Sequence, residues 1–452
     1  MSFGVPFGVP FGVRIGGGAL MDLSWVDGFI ARAGRAMFLR EEDRLLIVAP
    51  NKSFKLNDTA MAVLKPLLAG ATVAQALPGI ECDKEKSQEV NDFFIGLDAL
   101  CQGKLNETAP GAGVDIQRYA RPHNTLPVLS EIAVTYRCNL DCVFCYAGCS
   151  CVKAPEKGEM TSDEIKKILN IIWRQAKAPT VSFTGGEPTL REDLPEMVRH
   201  AAGLGLRTNL ITNAAAITER KAVALKEAGL MSAQVSIEGP DASIHEAMTM
   251  KPGSFDATLR GYKALQEAGL HVHPHLTITK LNMDRLMDHV DFIKDLGAER
   301  FSMNQLIPTG AGAMREDIWI RYDEVGSMID AVRRKSRKAG VEFMWYSPTP
   351  LCMYNPIASG LGNKSCAACD GLLSVAPDGG VLPCSSFGED VGNLLEDDFA
   401  KIWNGPRARF WGEKEYAPPR CKECEDFDAC ACACPLYWEA VGYGELGEAW
   451  NG

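Results

Sequence analysis

The sequence lacks several features that would each assign it to a broad functional class. No long run of lysine and arginine occurs in its 452 residues, and the formal net charge is −11. Because binding to a phosphate backbone needs concentrated positive charge, nucleic acid is not an expected partner. No apolar stretch has the length of a bilayer-spanning helix, so a membrane is not an expected partner either.

The first residues also lack the parts of an export signal. They read MSFGVPFGVPFGVRIGGGAL, without a basic start, an apolar centre or a small-residue cleavage site. The repeated Phe-Gly-Val and the glycines at 16–18 cannot pack as a helix, so residues 1–22 are predicted to be disordered. Without an export signal the chain is expected in the reducing cytoplasm, where its sixteen cysteines would stay thiols. Clustered thiols in that setting commonly bind metal.

Cysteine is absent from residues 152–351, and this gap separates two cysteine-rich regions. Five cysteines fall within residues 138–151, and nine follow residue 351. The length favours two to four domains. The predicted parts are a disordered segment (1–22), a small domain (23–103), a Pro/Gly-rich linker (104–126), a large middle domain (127–346) and a cysteine-rich tail (347–452).

The middle domain alternates short apolar runs with amphipathic helical segments. Six runs are typical of strands: EIAVTY, TVSFTGG, TNLITN, AQVSIEG, HVHPHLTIT and RFSMNQLIP. The helical segments include 161–176, capped by Thr161 and Ser162, and 321–340. Six β/α units in series predict an α/β fold, a parallel sheet curled into a partial (β/α)6 TIM-type barrel. In such folds the active site lies at the carboxyl ends of the strands.

The first cysteine group directly follows the first predicted strand. Cys138, Cys142 and Cys145 form a C-x3-C-x2-C loop. Zinc commonly takes four ligands, whereas three thiolates suit a [4Fe–4S] cluster with one open iron. A zinc knuckle or inert buried thiols are the alternatives. Cys149 and Cys151 are surplus to this spacing and are interpreted as free thiols.

This loop, with the aromatic Phe144 before its last cysteine, resembles that of the radical S-adenosylmethionine (SAM) enzymes. Other strand ends agree with the resemblance: GGEP follows the second strand, SIEG the fourth and PTGAG the sixth. In that family GGEP contacts the methionyl amino group, SIEG holds the ribose or carboxylate, and PTGAG lies on the adenine side. The resemblance therefore implies SAM-binding roles for Gly185, Gly186, Glu187, Pro188, Asn213, Ser236, Glu238 and Pro308.

The tail resembles a SPASM domain, the auxiliary-cluster extension of peptide-modifying radical SAM enzymes. Its first half has the spacing C-x12-G-x4-C and its second half C-x2-C-x5-C-x3-C. The resemblance implies one auxiliary [4Fe–4S] cluster held by Cys366, Cys369, Cys384 and Cys434. It implies a second held by Cys421, Cys424 and Cys430. A pair of structural zinc sites is the alternative.

The second auxiliary site departs from the family pattern. The family normally supplies one more cysteine downstream, and none follows Cys434. Cys432, Cys352 or an aspartate such as Asp426 could substitute, or one iron could stay open. Because Cys432 comes only two residues after Cys430, it could reach the same cluster only through a sharp backbone turn. An open or oxygen-ligated position is therefore predicted over ligation by Cys432.

The small first domain carries a third resemblance. AMFLREEDRLLIVAP predicts two strands joined by the turn at 40–43, and a helix with Asn57 at its N-cap follows. A second helix is predicted over 86–101. This order resembles the peptide-recognition domain typified by the pyrroloquinoline quinone pathway chaperone, a winged arrangement of three strands and three helices. The resemblance implies that a precursor peptide adds a strand to the sheet edge; a structural cap on the barrel is the alternative.

Together the resemblances imply an oxidoreductase-type enzyme that reductively cleaves SAM and abstracts a substrate hydrogen. Its cofactors would be one radical SAM cluster and two auxiliary clusters, with flavodoxin or ferredoxin as the reductant. The favoured substrate is a precursor peptide or small protein, oxidised or cross-linked at an unactivated carbon. Maturation of a small cofactor such as a tetrapyrrole is the alternative. A non-catalytic electron carrier is a weaker one, because a carrier has no need of GGEP.

The sequence does not identify an acid or base for this chemistry. Relatives that form formylglycine place an aspartate directly after the second cysteine of the tail's first half, and here that residue is Ser385. Formylglycine formation is therefore disfavoured. Tyr146, His245, His273 and His275 are interpreted as structural residues.

Overall fold

The computed structural model of the protein describes residues 21–49, 52–101, 119–147 and 158–447. The chain divides into two compact units, Met1–Thr125 and Leu126–Gly452. Most of the predicted disordered segment and of the predicted linker lies outside the described residues, and so do Cys149 and Cys151. The predicted domain boundaries stay predictions.

The described residues of the first unit form a small antiparallel sheet and four helices. The strands β1 (Met37–Arg40), β2 (Leu45–Val48) and β3 (Lys52–Lys55) pair in that order. The helices are α1 (Ser24–Ala33), α2 (Asp58–Leu68), α3 (Val73–Ala76) and α4 (Lys84–Cys101). The predicted hairpin and both predicted helices are confirmed, and β3 supplies the third strand that the resemblance implied.

Local hydrogen bonds explain where these elements begin and turn. Arg40 donates to both carboxylate oxygens of Asp43 at 2.9 Å each, and both side chains are buried at the β1–β2 turn. A buried charge needs such a partner, so this pair fixes the turn. At the start of α2, the side chain of Asn57 accepts a 2.8 Å hydrogen bond from the N–H of Ala60.

The second unit contains one nine-stranded sheet. Seven parallel strands cross it in chain order: β4 (Leu129–Thr135), β5 (Thr180–Gly185), β6 (Arg207–Thr212), β7 (Ser232–Ser236), β8 (His271–Ile278), β9 (Arg300–Gln305) and β10 (Glu342–Trp345). The tail adds β11 (Leu372–Val375), which is parallel to β4, and β12 (Val381–Leu382), which is antiparallel to β11. The six predicted strands and the partial barrel are confirmed, whereas β10 and the extension by the tail were not predicted.

Helices connect the strands, and short helices follow β12 in the tail. They are α5 (Ser162–Ile171), α6 (Leu194–Leu204), α7 (Glu219–Glu227), α8 (Ala242–Thr249), α9 (Ser254–Glu267), α10 (Leu286–Asp295), α11 (Tyr322–Ala339), α12 (Phe399–Trp403), α13 (Pro406–Gly412), α14 (Pro419–Lys422), α15 (Phe427–Cys430) and α16 (Pro435–Val441). The predicted cap at Thr161 is confirmed and forms a capping box with Glu164, whereas Ser162 is the first residue of α5. In the described ranges no helix combines the length and apolarity needed to cross a membrane.

Side chains alternate between the two faces of the barrel strands. One face is apolar: Ile132 and Val134 of β4 and Phe183 of β5 belong to one buried cluster with helix residues such as Ile165 and Leu169. Successive strand residues point to opposite faces, so the other face carries the intervening side chains. Those are mainly polar: Glu131, Ser182, Asn209, Gln234, His273, His275 and Asn304.

Candidate iron–sulfur and S-adenosylmethionine site

The cysteine loop after β4 packs against the loop after β9. The N–H of Ala311 donates to the carbonyl of Cys145 at 2.9 Å. Gly310 has a φ of 55°, and a Cβ there would lie 2.4 Å from the carbonyl oxygens of Cys145 and Tyr146. Only glycine fits such an approach at a positive φ. The PTGAG segment, which begins at Pro308, is thereby held against the three predicted iron ligands.

The thiols of Cys138, Cys142 and Cys145 face one another. Burial raises the pKa of Cys138 to about 11, and the charge of Cys145 adds to this shift. Burial also raises the pKa of Cys142 well above its usual value, and the charges of Glu238, Cys145 and Cys138 raise it further. Metal ligation needs thiolates, and a cationic group among them would offset this mutual repulsion. The donor set therefore fits a cluster whose irons are positively charged.

The number of thiols in this loop bears on the zinc alternative. Structural zinc commonly takes four protein ligands. Three thiolates suit a [4Fe–4S] cluster with one open iron. The number of donors therefore favours a cluster over zinc.

Both glycines of GGEP lie against the end of β4. The N–H of Gly186 donates to the carbonyl of Thr135 at 2.7 Å, and the N–H of Glu187 to that of Arg137 at 2.8 Å. A Cβ on Gly185 would lie 2.1 Å from the Thr135 oxygen, and one on Gly186 would lie 2.3 Å from the Arg137 oxygen. The two backbones touch here, and any side chain would separate GGEP from the cysteine loop.

The carboxylate of Glu187 is buried and occupied by protein donors. Oε1 accepts hydrogen bonds from the N–H and hydroxyl of Thr189 and from the hydroxyl of Thr212, at 3.0, 2.5 and 2.7 Å. Oε2 accepts from the N–H of Asn213 at 2.8 Å. Burial raises the pKa of Glu187, and these hydrogen bonds oppose the rise. The Glu187 side chain thus connects GGEP, whose Pro188 is buried, to the end of β6. A contact between Glu187 and SAM stays a prediction.

Asn213 connects the end of β6 to the cysteine loop. Its side-chain amide donates to Oδ1 of Asn139 at 2.9 Å and lies 3.8 Å from Sγ of Cys138. Its carbonyl accepts a 2.8 Å hydrogen bond from the hydroxyl of Thr258 in α9. A donor beside a ligating sulfur tunes cluster electronics and orients the ligand. The structure therefore places Asn213 next to Cys138, a predicted cluster ligand.

Ser236 and Glu238 lie at and beyond the end of β7. Burial raises the pKa of Glu238 to about 8, although the N–H of Thr277 donates to its Oε2 at 2.8 Å. Burial therefore favours the protonated form of this carboxyl, which can donate a hydrogen bond. Its backbone N–H donates to Nδ1 of His245 at 3.1 Å, so this buried histidine serves as an acceptor.

Glu131, on the polar face of β4, is a residue that the sequence did not single out. Its Oε1 accepts a 2.8 Å hydrogen bond from the hydroxyl of Ser374, and Ser385 donates to it through both its side chain and its backbone. Burial raises the pKa of Glu131, and its charge in turn raises that of Cys384. Ser374 lies 243 positions from Glu131, so no local pattern could reveal the pair.

Two histidines extend the polar face on β8. In His275, Nδ1 lies 2.8 Å from Oγ of Ser302 and Nε2 lies 3.0 Å from Oδ1 of Asn304. Its ring stacks on Tyr346 with 6.1 Å between centroids. Burial lowers the pKa of His275 to about 4 and that of His273 to about 3. Both rings are neutral at physiological pH and form an uncharged polar wall.

The tail brings together the four cysteines that were predicted for the first auxiliary cluster. Burial raises the pKa of Cys384, and the charges of Cys366 and Cys434 add to the rise. Burial raises the pKa of Cys369 to about 12. The nearby charge of Lys414 opposes this rise, and the charge of Cys366 adds to it. Lys414 is itself fully buried and donates to the carbonyl of Ala368 at 3.2 Å. These four thiols fit the donor set of one cluster, with a lysine beside them as counter-charge; their ligation stays a prediction. 

The three cysteines predicted for the second auxiliary cluster also converge. Burial raises the pKa of Cys430, and the charge of Cys421 raises it further. Cys421 and Cys424 both add to the raised pKa of Cys352, which arrives from the loop after β10. Cys432 is a near neighbour as well, because a hydrogen bond joins its thiol to that of Cys421. Five thiols therefore gather where the spacing predicted three.

Comparison with known proteins agrees with both cysteine regions. The model of the radical SAM superfamily matches residues 132–293, and that of the iron–sulfur cluster-binding SPASM domain matches residues 366–425. Fe-coproporphyrin III synthase of Methanosarcina barkeri is 32% identical over 394 residues, which cover 78% of this chain and 95% of that protein. The chain belongs to the radical SAM superfamily. It is therefore an enzyme that uses [4Fe–4S] clusters and SAM, and the electron-carrier alternative is not retained.

Two further similarities differ in the substrates that they suggest. The AdoMet-dependent heme synthase of Oleidesulfovibrio alaskensis is 30% identical over 313 residues, which are 66% of this radical SAM chain and 80% of that protein. The crystal structure of Streptococcus suis SuiB bound to the precursor peptide SuiA has a TM-score of 0.63 at 17% identity. That likeness covers 89% of this chain and 95% of SuiB, and it shows a common fold.

Proposed function

We propose that the protein is a maturase that oxidises or cross-links a ribosomally made peptide. The observation that carries this proposal is the reach of the fold that it has in common with SuiB. Residues 126–452 are 327 of the 452 residues, about 72% of the chain, whereas the likeness covers 89%. The likeness therefore extends into the first unit, the part whose sequence resembles a peptide-recognition domain.

Strand β3 offers an edge that an extended peptide can join. The N–H of Leu56 donates to the carbonyl of Arg44 at 2.8 Å, which sets the pattern of the β2–β3 pair. Because N–H groups alternate in direction along an antiparallel strand, those of Ser53 and Lys55 point away from β2. Main-chain groups of this kind bind a peptide through β-augmentation. The side chain of Ser53 also lies 3.3 Å from Nε2 of His123, at the margin of the same edge.

The residues of the second unit have separate tasks in this reaction. When bound, SAM and the clusters supply the hydrogen-abstracting radical and the electron transfer. Cys138, Cys142 and Cys145 would hold the radical SAM cluster, and the strand-end segments would orient SAM. Oxidation of a substrate C–H bond also releases a proton. Glu131 lies on the polar face of the barrel and is the carboxylate that we assign as its acceptor.

A second candidate function is modification of a tetrapyrrole. The heme synthase and Fe-coproporphyrin III synthase relatives favour it, at 30% and 32% identity. The polar face of the barrel fits a tetrapyrrole substrate less well. Glu131 on this face is acidic and its histidines are neutral, whereas the carboxylates of coproporphyrin would need positively charged partners. Arg207 and Arg300 begin β6 and β9, so they lie at the strand ends opposite to the SAM site.

The two candidates can be tested in one experiment. Anaerobically reconstituted protein, SAM and a reductant would be incubated with peptides encoded by short reading frames beside the gene. Parallel reactions would contain iron tetrapyrroles that carry carboxylate side chains, and iron-coproporphyrin III and heme would be sought as products. We expect mass spectrometry to show a peptide that has lost two hydrogen atoms, with an unchanged porphyrin. Porphyrin conversion without peptide modification would contradict the proposal.

A further inference from the structure

The loop after β10 lies directly on the second auxiliary cysteine group. The backbone N–H of Leu351 donates to Sγ of Cys430, with 3.5 Å between nitrogen and sulfur. The next residue is Cys352, which is exposed to solvent. Cys352 therefore lies beside the C-x2-C-x5-C series, although it comes from a segment about seventy residues earlier in the chain.

Hydrogen bonds fix this loop in place. The N–H groups of Met353 and Tyr354 both donate to the carbonyl of Pro350 at 3.0 Å, which forms a tight turn around Cys352. The hydroxyl of Tyr354 donates to Oδ1 of Asp330 in α11 at 3.1 Å. The position of Cys352 is thus set by the hydrogen bond to α11 and by the contact of Leu351 with Cys430.

Cys432 occupies a different kind of position. Ala431, Cys432 and Ala433 have φ angles of 53°, 58° and 58°, three successive residues in the left-handed region. Each costs roughly 1 kcal/mol or more for a side chain other than glycine, so the turn must serve a purpose. It supplies backbone N–H donors of Cys432 and Ala433 to the sulfur of Cys430. It also buries Cys432 to 2% exposure and anchors its carbonyl to Nε1 of Trp438 at 2.7 Å.

The thiol of Cys432 is engaged with another thiol. It donates a hydrogen bond to the thiol of Cys421. Two cysteines that bind different irons of a [4Fe–4S] cluster are separated by more than a hydrogen bond. Cys432 therefore could not bind a further iron of that cluster while it stays bonded to Cys421. Its place suits a donor that stabilises a ligating thiolate.

We propose that Cys352, Cys421, Cys424 and Cys430 hold the second auxiliary [4Fe–4S] cluster, with Cys432 as a hydrogen-bond donor to Cys421. The cysteine that the family supplies downstream is replaced by one from the loop after β10. This assignment differs from the open or oxygen-ligated position that the sequence favoured. It does not depend on which substrate the enzyme modifies.

Iron content and spectra of reconstituted variants test the assignment. The full-length parent should bind about twelve irons in three [4Fe–4S] clusters. Cys352→Ala should lose about four of these irons, or leave a three-iron cluster with its own electron paramagnetic resonance signal. Cys432→Ala should keep about twelve irons with a shifted signal. Cys82→Ala, in the first unit, is the matched control and should equal the parent.

Two results would overturn the proposal. One is an unchanged iron count and spectrum in Cys352→Ala, and the other is loss of a cluster in Cys432→Ala. A measurement on the parent covers the case in which Cys352→Ala fails to fold. Cys352 should resist alkylation by iodoacetamide in the cluster-loaded protein and react after the iron is chelated, while the exposed Cys82 reacts in both states. Alkylation of Cys352 in the loaded protein would contradict its role as a ligand.

Discussion

The hydroxyl of Ser374 in the tail donates a 2.8 Å hydrogen bond to the carboxylate of Glu131 on the first barrel strand. The parallel pairing of β11 with β4 sets this contact, since Ser374 and Glu131 are register partners. Ser385, directly after the predicted iron ligand Cys384, donates to the same carboxylate. One buried acid therefore links the polar face of the barrel to the first auxiliary cysteine group.

Glu131→Gln is expected to slow peptide modification by about tenfold to a thousandfold. The amide keeps the size of the side chain and its hydrogen bond from Ser374, but it cannot accept a proton. Production of 5′-deoxyadenosine should continue, because the radical SAM cysteines are untouched. The two products would be measured in the same reaction by mass spectrometry. Equal loss of both products would instead indicate a structural role for Glu131.

The pH profile separates these roles further. Burial raises the pKa of Glu131 above its ordinary value, so the carboxylate that accepts the proton is lost as the pH falls through that raised pKa. The parent rate should therefore decline toward low pH. The rate of the Glu131→Gln variant should lack that decline. An identical profile in both proteins would argue against Glu131 as the proton acceptor.

Replacement of Cys138, Cys142 and Cys145 by alanine should remove about four of about twelve irons and all SAM cleavage. These thiols would hold the cluster that reduces SAM, whereas the auxiliary clusters have their own ligands. Iron assay and 5′-deoxyadenosine assay after anaerobic reconstitution would check both effects. Zinc in place of iron in anaerobically purified parent protein would contradict the assignment.

Ser53→Pro should weaken binding of the precursor peptide at least tenfold. Proline removes the N–H that points away from β2, and an edge strand tolerates it. Ser53→Ala is the matched control, because it keeps that N–H and removes the side chain contact with His123. Peptide affinity would be measured by fluorescence anisotropy, with SAM cleavage as the check on folding. Equal affinity in both variants would reduce the first unit to a structural cap.

Gly186→Ala should lower the free energy of unfolding by about 1–3 kcal/mol and weaken SAM binding. Its Cβ would lie 2.3 Å from the carbonyl oxygen of Arg137, so the end of β4 and the cysteine loop would have to shift. Gly203→Ala in α6 is the control, since a Cβ there meets nothing within 4 Å. It should stabilise the helix by up to about 1 kcal/mol. Denaturant unfolding and equilibrium dialysis with SAM would compare them.

Acid stability should depend on the buried histidines. Burial lowers the pKa of His245 to about 4, against about 6.5 in the unfolded chain. As the pH falls from 6.5 to 4, the unfolded state takes up a proton that the folded state refuses, so stability declines. His245→Asn keeps an acceptor for the N–H of Glu238 and should lower the linked proton uptake by about one. Urea unfolding at several pH values would measure it.

The sequence by itself determined the parts of this protein that depend on local spacing. The short apolar runs predicted the six strands β4–β9, and Thr161 and Ser162 predicted the start of α5. The C-x3-C-x2-C loop placed three thiols within eight residues, where chain geometry alone keeps them close. Strand and loop order then placed GGEP and PTGAG at the same edge of the sheet, because parallel strands end together.

Only the tertiary structure decided the contacts between residues far apart in the chain. In the sequence, Glu131 is one acidic residue within a short strand. In the structure, the pairing of β11 with β4 places Ser374 and Ser385 beside its carboxylate. In the sequence, Cys352 is separated from the other cysteines of the tail. In the structure, the turn after β10 packs on Cys430 and places Cys352 beside it. The physical reason is that local spacing limits only near neighbours, while packing of the apolar faces selects which distant polar groups meet.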